Sequence, residues 1–364
     1  KVFKKTNPLI CFAAKSNSNV SILKTLGKLG AGTDVVSGGE LLKALKAGIK
    51  PNKVVFSGVG KNEDELRIAI NKKILLINCE SESEAKLIDK IARKLRKKVS
   101  IGFRLNPNID AKTHQKISTG KAENKFGLSI KNFKSFYKSI KKYKNINLDA
   151  LSVHIGSQIL SDVPYKKMLN VMSNLIKELK LDLKFLDLGG GFGIRYNEKD
   201  KPINLKKYSD SVNKLAKKLK CKIIFEPGRS IIGDTGILLS KIQYIKKGAK
   251  KDFIIIDAGM NDFMRPALYD AVHKIIPIRK SKSKLKGTIE FVGPICESTC
   301  KFGSYKNYQK MSENDFVAIT NVGAYGSSLS SNYNSRPLIA ELLVNKNKIK
   351  YIRKKQDLLK LINS

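Results

Sequence analysis

The sequence predicts an α/β protein: a (β/α)8 barrel of the TIM type over residues 1–235, followed by an antiparallel β-domain over residues 236–364. Three observations support this fold class. Short apolar runs rich in β-branched residues recur through the first two-thirds of the chain. Longer lysine-rich segments with helical periodicity separate these runs. Beyond residue 236 the apolar runs are joined by turns instead of long helices, which is typical of an antiparallel sheet.

Eight apolar runs are the predicted barrel strands, and each ends in a polar or glycine-bearing turn. A short, continuous apolar run is typical of a strand that is buried on both faces of a parallel sheet. In chain order the runs are residues 9–15, 33–38, 53–58, 74–80, 99–107, 150–157, 185–191 and 222–228. Eight strands alternating with helices are the number that closes a barrel.

The segments between the runs are predicted helices because their ends follow helix polarity. Glu40 and Glu63 lie near helix starts, and Gly30 and Gly48 lie just past helix ends. A doubly wound open sheet is the alternative arrangement. Such a sheet carries a glycine fingerprint after its first strand, whereas the first run here ends in AAKSNSN. The barrel is therefore the favoured interpretation.

The composition predicts a cytoplasmic globular protein with a strongly basic surface. Hydrophobic residues make up 41% of the 364 positions, and no apolar stretch approaches the roughly 18 residues that a membrane helix needs. The start of the sequence shows no signal-peptide pattern. The net charge of +40 is compatible with nucleic-acid binding, but lysines recur in almost every predicted helix. A solvated surface, with no nucleic-acid or membrane partner, is the favoured interpretation.

The five cysteines are scattered, and Cys296 and Cys300 are the only close pair. Their C-x3-C spacing has no second pair and no nearby histidine. A zinc site needs both a complete ligand set and suitable spacing. We therefore expect no metal site.

The carboxyl ends of the predicted barrel strands carry a series of polar or glycine residues. Active sites of such barrels lie at this rim. The rim residues are Lys15, Ser37, Ser57, Glu80, Arg104, His154, Gly189, Gly190, Gly191, Glu226 and Arg229. A barrel that required only stability would not need an amine, an imidazole, a carboxylate and guanidinium groups there, so the sequence predicts a catalytic site.

These residues also have plain structural interpretations. Lys15 is either a surface lysine or, because it follows an apolar run, a residue at the barrel mouth whose amine becomes nucleophilic near other cations. A lone histidine is more often a core residue, yet VHIGS places His154 at a strand end. The GGGFG stretch is compatible with a mere tight turn, and Arg229 with an ordinary ion pair.

Three features together indicate pyridoxal 5′-phosphate as the cofactor. A glycine-rich turn after a strand exposes backbone N–H groups that bind phosphate, and Arg229 follows the next strand. A phosphate site at strands seven and eight recurs in this fold. Glu226 suits the ring nitrogen of an electron-accepting pyridine, because a carboxylate holds the proton there. Lys15 supplies the amine.

The chain resembles the fold-type III pyridoxal-phosphate decarboxylases over nearly its whole length, which implies an alanine-racemase-like barrel. The resemblance lies in many stretches that are specific only in combination. They are FAAKSNSN, GTDVVSGGEL, FSGVGK, FRLNP, STG-x4-KFG, HIGSQI, LDLGGGFGI, EPGRS, DAGMNDFMRPALYDA, GPICES and NVGAYGSSLSSNYNSRP.

The resemblance implies a role for each matching residue. Lys15 matches the lysine that forms a Schiff base with the cofactor, His154 the imidazole that stacks on its ring, and Glu226 the carboxylate at the ring nitrogen. The residues that match positions gripping phosphate or substrate are Ser157, Gly190, Gly191, Gly228 and Arg229. Substrate-binding positions are matched by Arg229, Arg265, Tyr269, Glu297 and Tyr325, and the last of these also touches the cofactor.

Cys296 matches a cysteine that protonates the substrate carbon and comes from the partner subunit. The resemblance therefore implies a homodimer with shared active sites. A non-catalytic relative on the same scaffold is expected to lose Lys15 or Cys296, and both are present.

Within this class the resemblance is strongest to the diaminopimelate decarboxylases, which implies conversion of meso-2,6-diaminopimelate to L-lysine. This substrate has a second amino-acid head far from the reacting carbon. Arginine suits its carboxylate and Glu297 its ammonium group. The pair Arg265 and Tyr269, followed by CES, favours this substrate. Ornithine, arginine and carboxynorspermidine remain alternative substrates on the same fold.

Two departures from the family pattern stand out. The family has several tens of residues before the lysine strand, whereas 14 precede Lys15 here, so we expect the first strand of the β-domain to be missing from this sequence. The family often has Asp where this chain has Cys300. Cys300 is either a harmless exchange or a residue that perturbs the loop of Cys296, by a disulfide among other routes.

Overall fold

The structure is a computed structural model, and it describes residues 2–111, 119–121 and 123–363. Ser118 of the STG motif therefore lies outside the described residues. The chain divides into two units. The first comprises Lys1–Ile194 and Lys201–Ser230, and the second comprises Arg195–Asp200 and Ile231–Ser364.

The first unit is a closed parallel barrel, which confirms the predicted fold class. Its eight strands are β1 (Leu9–Ala13), β2 (Gly32–Val35), β3 (Val54–Phe56), β4 (Leu76–Cys79), β5 (Val99–Asn106), β7 (Ile146–Val153), β8 (Phe185–Asp187) and β9 (Lys222–Phe225). Each pairs in parallel with its neighbour, and β1 pairs with β9, which closes the ring. A short strand, β6 (Leu128–Ser129), adds to β5 outside the ring.

Helices follow the barrel strands in regular alternation. They are α1 (Val20–Lys28), α2 (Gly38–Lys46), α3 (Glu63–Asn71), α4 (Glu82–Lys94), α5 (Ile130–Tyr137), α6 (Val163–Glu178), α7 (Leu205–Leu219) and the short α8 (Arg229–Ile232). Their starts have local causes: the side chain of Asn62, for example, accepts a hydrogen bond from the N–H of Glu65, and the carboxylate of Glu65 accepts one from the N–H of Asn62.

The barrel interior is apolar below the rim. Side chains from five strands meet in one buried cluster formed by Cys11, Val55, Leu76, Ala150 and Ile224. Continuous burial on both faces of each strand explains why the sequence shows unbroken apolar runs instead of alternation. The packed interior leaves the carboxyl-end rim as the place for polar chemistry.

The second unit contains a six-stranded sheet and a hairpin. In chain order its elements are β10 (Leu238–Lys246), β11 (Asp252–Ile256), α9 (Arg265–Tyr269), β12 (Ile275–Pro277), β13 (Thr288–Val292), β14 (Lys301–Lys306), β15 (Phe316–Ile319), β16 (Glu341–Asn345), β17 (Lys348–Arg353) and α10 (Leu358–Leu361). The sheet order is β12-β15-β10-β11-β13-β14, and β16 and β17 form a two-stranded sheet.

This sheet is antiparallel, as predicted, except for one parallel pair of strands. Strands β11 and β13 pair in parallel, while the other neighbours are antiparallel. Two parallel neighbouring strands require a crossover connection, which returns the chain to the end of the sheet where the first strand began. Here residues 257–287 make that crossover and include α9 and β12. Strand patterns alone do not reveal such a return.

Among the described residues, no helix is long and apolar enough to cross a membrane.

Candidate active site

Lys15 lies at the barrel rim, in a single helical turn that directly follows β1. Its ammonium Nζ is 2.7 Å from Oδ2 of Asp34 on the neighbouring strand β2. Asp34 is fully buried, and its other oxygen has no hydrogen-bond partner among the described residues. Sequence reasoning missed Asp34, although one carboxylate within the apolar run TDVV was a signal.

Glu226 follows β9 and is buried beside a second carboxylate, Asp187 of β8. Its Oε1 accepts a hydrogen bond from Ser57 at 3.3 Å. Asp187 accepts hydrogen bonds from Asn78 at 2.9 Å and Ser152 at 3.1 Å. Residues from five barrel strands thus join in one polar network. The sequence did not single out Asp187, since FLDLGGG draws attention to its glycines.

The acid pair of this network favours retention of a proton. Burial raises the pKa of Glu226 well above its ordinary value, and the negative charges of Asp187 and Asp34 add to this effect. Burial likewise raises the pKa of Asp187. Two adjacent carboxyl groups out of water cannot both ionise without a large electrostatic cost. The pair therefore presents a site that can hold a proton at the barrel rim.

His154 follows β7 and is held in its neutral form. The backbone N–H of Gly190 donates to its Nδ1 at 3.1 Å, so Nδ1 carries no proton. Removal from water lowers the pKa of His154 well below its ordinary value, as do the positive charges of Arg104 and Lys15. A neutral imidazole at this rim can stack on an aromatic ring without adding charge.

The loop after β8 requires glycines because other backbone segments lie too close to it to leave room for a side chain. A Cβ on Gly190 would lie 2.1 Å from the carbonyl oxygen of Glu226, and one on Gly191 would lie 2.2 Å from that of Gly156. Gly191 also has a φ of +88°, which a side chain disfavours. The loop therefore packs directly onto the segments that carry His154 and Glu226.

Hydrogen-bond donors suited to a phosphate group lie beside this loop. The guanidinium Nη2 of Arg229 is 3.1 Å from Oγ of Ser157. The N–H groups of Gly191 and Gly228 have no acceptor within the described part of the chain. Gly228 packs closely on Ser16, because a Cβ there would lie 2.9 Å from its Oγ. Open N–H donors and a guanidinium together are the donor set that phosphate oxygens require.

Lysine amine, phosphate donors and buried carboxyl thus occur on one rim, and they fit pyridoxal 5′-phosphate. The fit rests on the N–H groups of Gly191 and Gly228, which find no acceptor among the described residues, and on the buried acid pair Glu226 and Asp187. In the part of the chain that the structure describes, no group of three or more His, Cys, Asp or Glu side chains is arranged to hold a metal ion.

Three other rim residues have structural partners. Ser37 caps α2, because its Oγ accepts a hydrogen bond from the N–H of Glu40. Glu80 and Arg104 form a buried ion pair at 3.0 Å, and the second oxygen of Glu80 accepts the N–H of Gly127. This pair places a positive charge near His154.

The second unit holds the predicted Arg265 and Tyr269 on α9. Arg265 is buried, and its Nε donates to Nε2 of His273 at 3.2 Å. The guanidinium carbon lies 5.2 Å from the ring centre of Tyr196 and 6.0 Å from that of Tyr269. His273 was missed by sequence reasoning, because AVHKII gives no signal beyond a lone histidine in an apolar run.

Cys296 and Glu297 lie on an exposed loop of the second unit. The carboxylate of Glu297 accepts hydrogen bonds from the hydroxyls of Tyr333 and Thr299, and these lower its pKa. Glu297 is therefore a fixed negative charge at neutral pH. Tyr325 adopts a left-handed backbone with φ of +56°. Such a conformation in a bulky residue is a feature of constrained functional loops.

Cys300 is buried and reduced, as Cys296 is reduced. Its sulfur accepts a hydrogen bond from the N–H of Met260 at 3.3 Å. A carboxylate oxygen, such as the Asp expected from the resemblance, is also an acceptor. The thiol thus provides an acceptor for this N–H, which favours the interpretation of a harmless exchange.

The barrel, its lysine and its proton-holding acid pair define a pyridoxal-phosphate-dependent decarboxylase of fold type III. Residues 1–233 match the family model described as "Pyridoxal-dependent decarboxylase, pyridoxal binding domain". The diaminopimelate decarboxylase of Aquifex aeolicus is 42% identical over 362 residues, which cover 98% of this chain and 86% of that protein.

Two solved structures agree with this match. The diaminopimelate decarboxylase of Helicobacter pylori complexed with L-lysine has a TM-score of 0.93 at 44% identity, covering 100% of this chain and 91% of that one. The diaminopimelate decarboxylase of M. jannaschii in complex with L-lysine has a TM-score of 0.90 at 36% identity, covering 97% and 83%. The chain belongs to the diaminopimelate decarboxylase family.

Proposed function

We propose that this protein decarboxylates meso-2,6-diaminopimelate to L-lysine and carbon dioxide, the last step of lysine biosynthesis, with pyridoxal 5′-phosphate as its cofactor. One observation carries the proposal: Lys15, His154 and Glu226 follow the carboxyl ends of three strands of one barrel, β1, β7 and β9, with phosphate donors beside them. Relatives that align with nearly the whole chain bear the name of this activity.

The cofactor would be held at three points of the rim. Lys15 would form the covalent link. Ser157, Gly190, Gly191, Gly228 and Arg229 would surround the phosphate, where the open N–H groups of Gly191 and Gly228 are available. His154 would stack on the ring as a neutral imidazole, and Glu226 would hold the proton of the ring nitrogen. Tyr325 would also touch the cofactor, as the resemblance implies.

Pyridoxal phosphate, when bound, supplies an electron-withdrawing ring that accepts the electron pair left when carbon dioxide departs. The residues of this chain would position the cofactor and supply the proton that the reaction needs. Asn78 and Ser152 hold Asp187 by hydrogen bonds, and Asp187 in turn would orient the neighbouring carboxyl group of Glu226. Cys296 would deliver a proton from its Sγ to the substrate carbon, which completes L-lysine.

The substrate residues favour a molecule with two amino-acid heads. Arg229 and Arg265 supply guanidinium groups for carboxylates, and Tyr269 lies beside Arg265. Glu297 supplies the negative charge for an ammonium group. A decarboxylase of ornithine would need no arginine at the distal end, since its product carries no carboxylate.

We further propose that the active protein is a cytoplasmic homodimer with shared active sites, in which Cys296 comes from the second copy. The exposure of Cys296 in the single chain supports this proposal, because a proton donor needs access to its substrate. Five reduced cysteines agree with a reducing compartment.

A substrate panel tests the activity. Purified protein loaded with pyridoxal phosphate is given meso-diaminopimelate, ornithine, arginine or carboxynorspermidine, and released carbon dioxide is measured. We expect release from diaminopimelate with L-lysine as product. Release from ornithine but not from diaminopimelate would show that the proposed substrate is wrong.

Complementation between inactive variants tests the shared site. Lys15→Ala and Cys296→Ala are each expected to be inactive alone. After mixing under conditions that exchange subunits, about a quarter of the wild-type activity should return, because half of the dimers are mixed and each has one intact site. No recovery in verified mixed dimers would place both residues in the site from one chain.

A further inference from the structure

His273 is a buried side chain that directly contacts Arg265. Only 1% of its surface is accessible, and 6% of that of Arg265. Its Nε2 receives the hydrogen bond from Nε of Arg265 at 3.2 Å, and its Nδ1 lies 2.8 Å from the carbonyl oxygen of Thr320. The ring also packs edge-on against Phe263 and Tyr196, at 4.6 Å and 5.0 Å between ring centres.

These two contacts define the protonation of the ring. A carbonyl oxygen can only accept, so Nδ1 of His273 carries the proton. The Nε–H of Arg265 can only donate, so Nε2 of His273 carries a lone pair. The imidazole is therefore neutral and oriented, and it acts as a fixed acceptor for the arginine.

The guanidinium of Arg265 is thereby restrained on several sides. His273 engages its Nε edge, and the rings of Tyr196 and Tyr269 lie within 6.0 Å of its carbon. A guanidinium binds a carboxylate best as a planar fork, so its orientation decides its affinity. If the side chain rotated freely before binding, ordering it would cost conformational entropy each time a carboxylate binds.

We propose that His273 is a positioning residue that orients Arg265 toward the carboxylate of the substrate head that does not react. This inference rests on the proposed function, which assigns Arg265 to the substrate. His273 does not touch the reacting atoms. Its effect falls on recognition of the distal head, and hence on the choice between substrates with and without a distal carboxylate.

The chemistry of the product supplies a selective probe. Decarboxylation removes one carboxylate, so L-lysine retains the carboxylate of the other head. Cadaverine has the same five-carbon chain and two amines, but it has no carboxylate. A change that disturbs only the orientation of Arg265 should weaken L-lysine binding and leave cadaverine binding alone.

Two variants separate the contacts of His273. In His273→Asn the amide lies near the Nδ1 position, so the contact to Thr320 is retained and the acceptor for Arg265 is lost. In His273→Gln the amide oxygen reaches the Nε2 position, so the acceptor for Arg265 is retained and the contact to Thr320 is lost. Each variant loses one buried hydrogen bond, which makes their effects on stability comparable.

The experiment measures steady-state kinetics with meso-diaminopimelate and calorimetric binding of L-lysine and of cadaverine to the holoenzyme. For His273→Asn we expect KM and the Kd for L-lysine to rise about tenfold, as for loss of a hydrogen bond to a charged group, with an unchanged Kd for cadaverine. His273→Gln should restore both values to near those of the wild type.

Each other outcome contradicts the proposal. Equal losses for L-lysine and cadaverine, or equal losses in both variants, would show that His273 only supports the fold, and thermal melting would report that directly. An unchanged KM in folded His273→Asn would show that Arg265 needs no support. If the wild type releases no carbon dioxide from diaminopimelate, the proposed function fails, while the lysine and cadaverine titrations still test His273.

Discussion

Nζ of Lys15 lies 2.7 Å from Oδ2 of Asp34, and the two side chains differ sharply in exposure. The Lys15 side chain is 37% accessible, whereas that of Asp34 is 0% accessible. The amine thus stands at the mouth of the barrel on a buried counter-charge. The ion pair with this carboxylate orients the Lys15 side chain.

The first prediction concerns this pair. Lys15→Ala should abolish both covalent retention of the cofactor and formation of L-lysine. It should also leave the buried carboxylate of Asp34 without its cation. The double variant Lys15→Ala with Asp34→Asn should therefore be more stable than Lys15→Ala alone by about 1–3 kcal/mol.

Cofactor absorbance, lysine formation and urea unfolding of the apoprotein measure these effects. Retained turnover in Lys15→Ala would remove the lysine from the mechanism. Identical unfolding midpoints for the single and double variants would show that Lys15 does not compensate the charge of Asp34.

The second prediction follows from the raised pKa of Glu226. The unfolded chain loses this proton first as pH rises above the ordinary value of 4.5, so ionisation then favours unfolding. The protonated group stabilises the fold fully below pH 4.5. This contribution decreases as pH rises, until pH exceeds the higher pKa of Glu226 in the folded chain. Glu226→Gln cannot ionise and should lack this loss.

Thermal unfolding of the apoprotein across pH tests this sign. The stability of Glu226→Gln relative to the wild type should grow from pH 4.5 upward and then level off. Glu63→Gln on α3, where the carboxylate is exposed and paired with Arg67, controls for the exchange of a carboxyl for an amide at the surface. A difference that shrinks as pH rises would reverse the assigned direction.

The third prediction concerns the protonation of His154. Burial and the nearby charges of Arg104 and Lys15 lower the pKa of His154 well below 6.5, so it should remain neutral where a free histidine titrates. The chain has three histidines, which allows assignment of the ring resonances by substitution. Proton NMR of the apoprotein should show no His154 midpoint near 6.5.

Removal of the neighbouring ion pair provides the control. In the double variant Arg104→Met with Glu80→Gln, a charge that lowers the pKa of His154 is absent, so its midpoint should move upward. A wild-type midpoint at or above 6.5 would contradict the lowered pKa of His154.

The barrel and the main rim residues were predictable because they depend on local order along the chain. In a parallel barrel every strand ends on the same rim, so residues that follow successive apolar runs must meet there. Lys15, His154 and Glu226 are of this kind. Their identification required only the positions where the runs end.

The residues that contact these site residues from other strands and helices could not be predicted from the positions where the apolar runs end. Asp34 is a buried carboxylate whose relation to Lys15 depends on the parallel register of β1 with β2. His273 reaches Arg265 because α9 and the segment before β12 fold back on each other. The parallel pairing of β11 with β13 has the same origin, because 31 intervening residues, 257–287, decide the direction of return.

The last prediction concerns the backbone contact between Gly190 and Glu226. A Cβ at position 190 would lie 2.1 Å from the carbonyl oxygen of Glu226 and 2.8 Å from its carbonyl carbon, so backbone must move to admit it. Gly190→Ala should cost about 1–3 kcal/mol of stability and weaken cofactor binding, since the same loop donates to His154. Gly60→Ala is the matched control, because no atom lies within 4 Å of its added Cβ. Urea unfolding and cofactor titration of both variants measure the effects, and similar stabilities for the two would show that the loop adapts without strain.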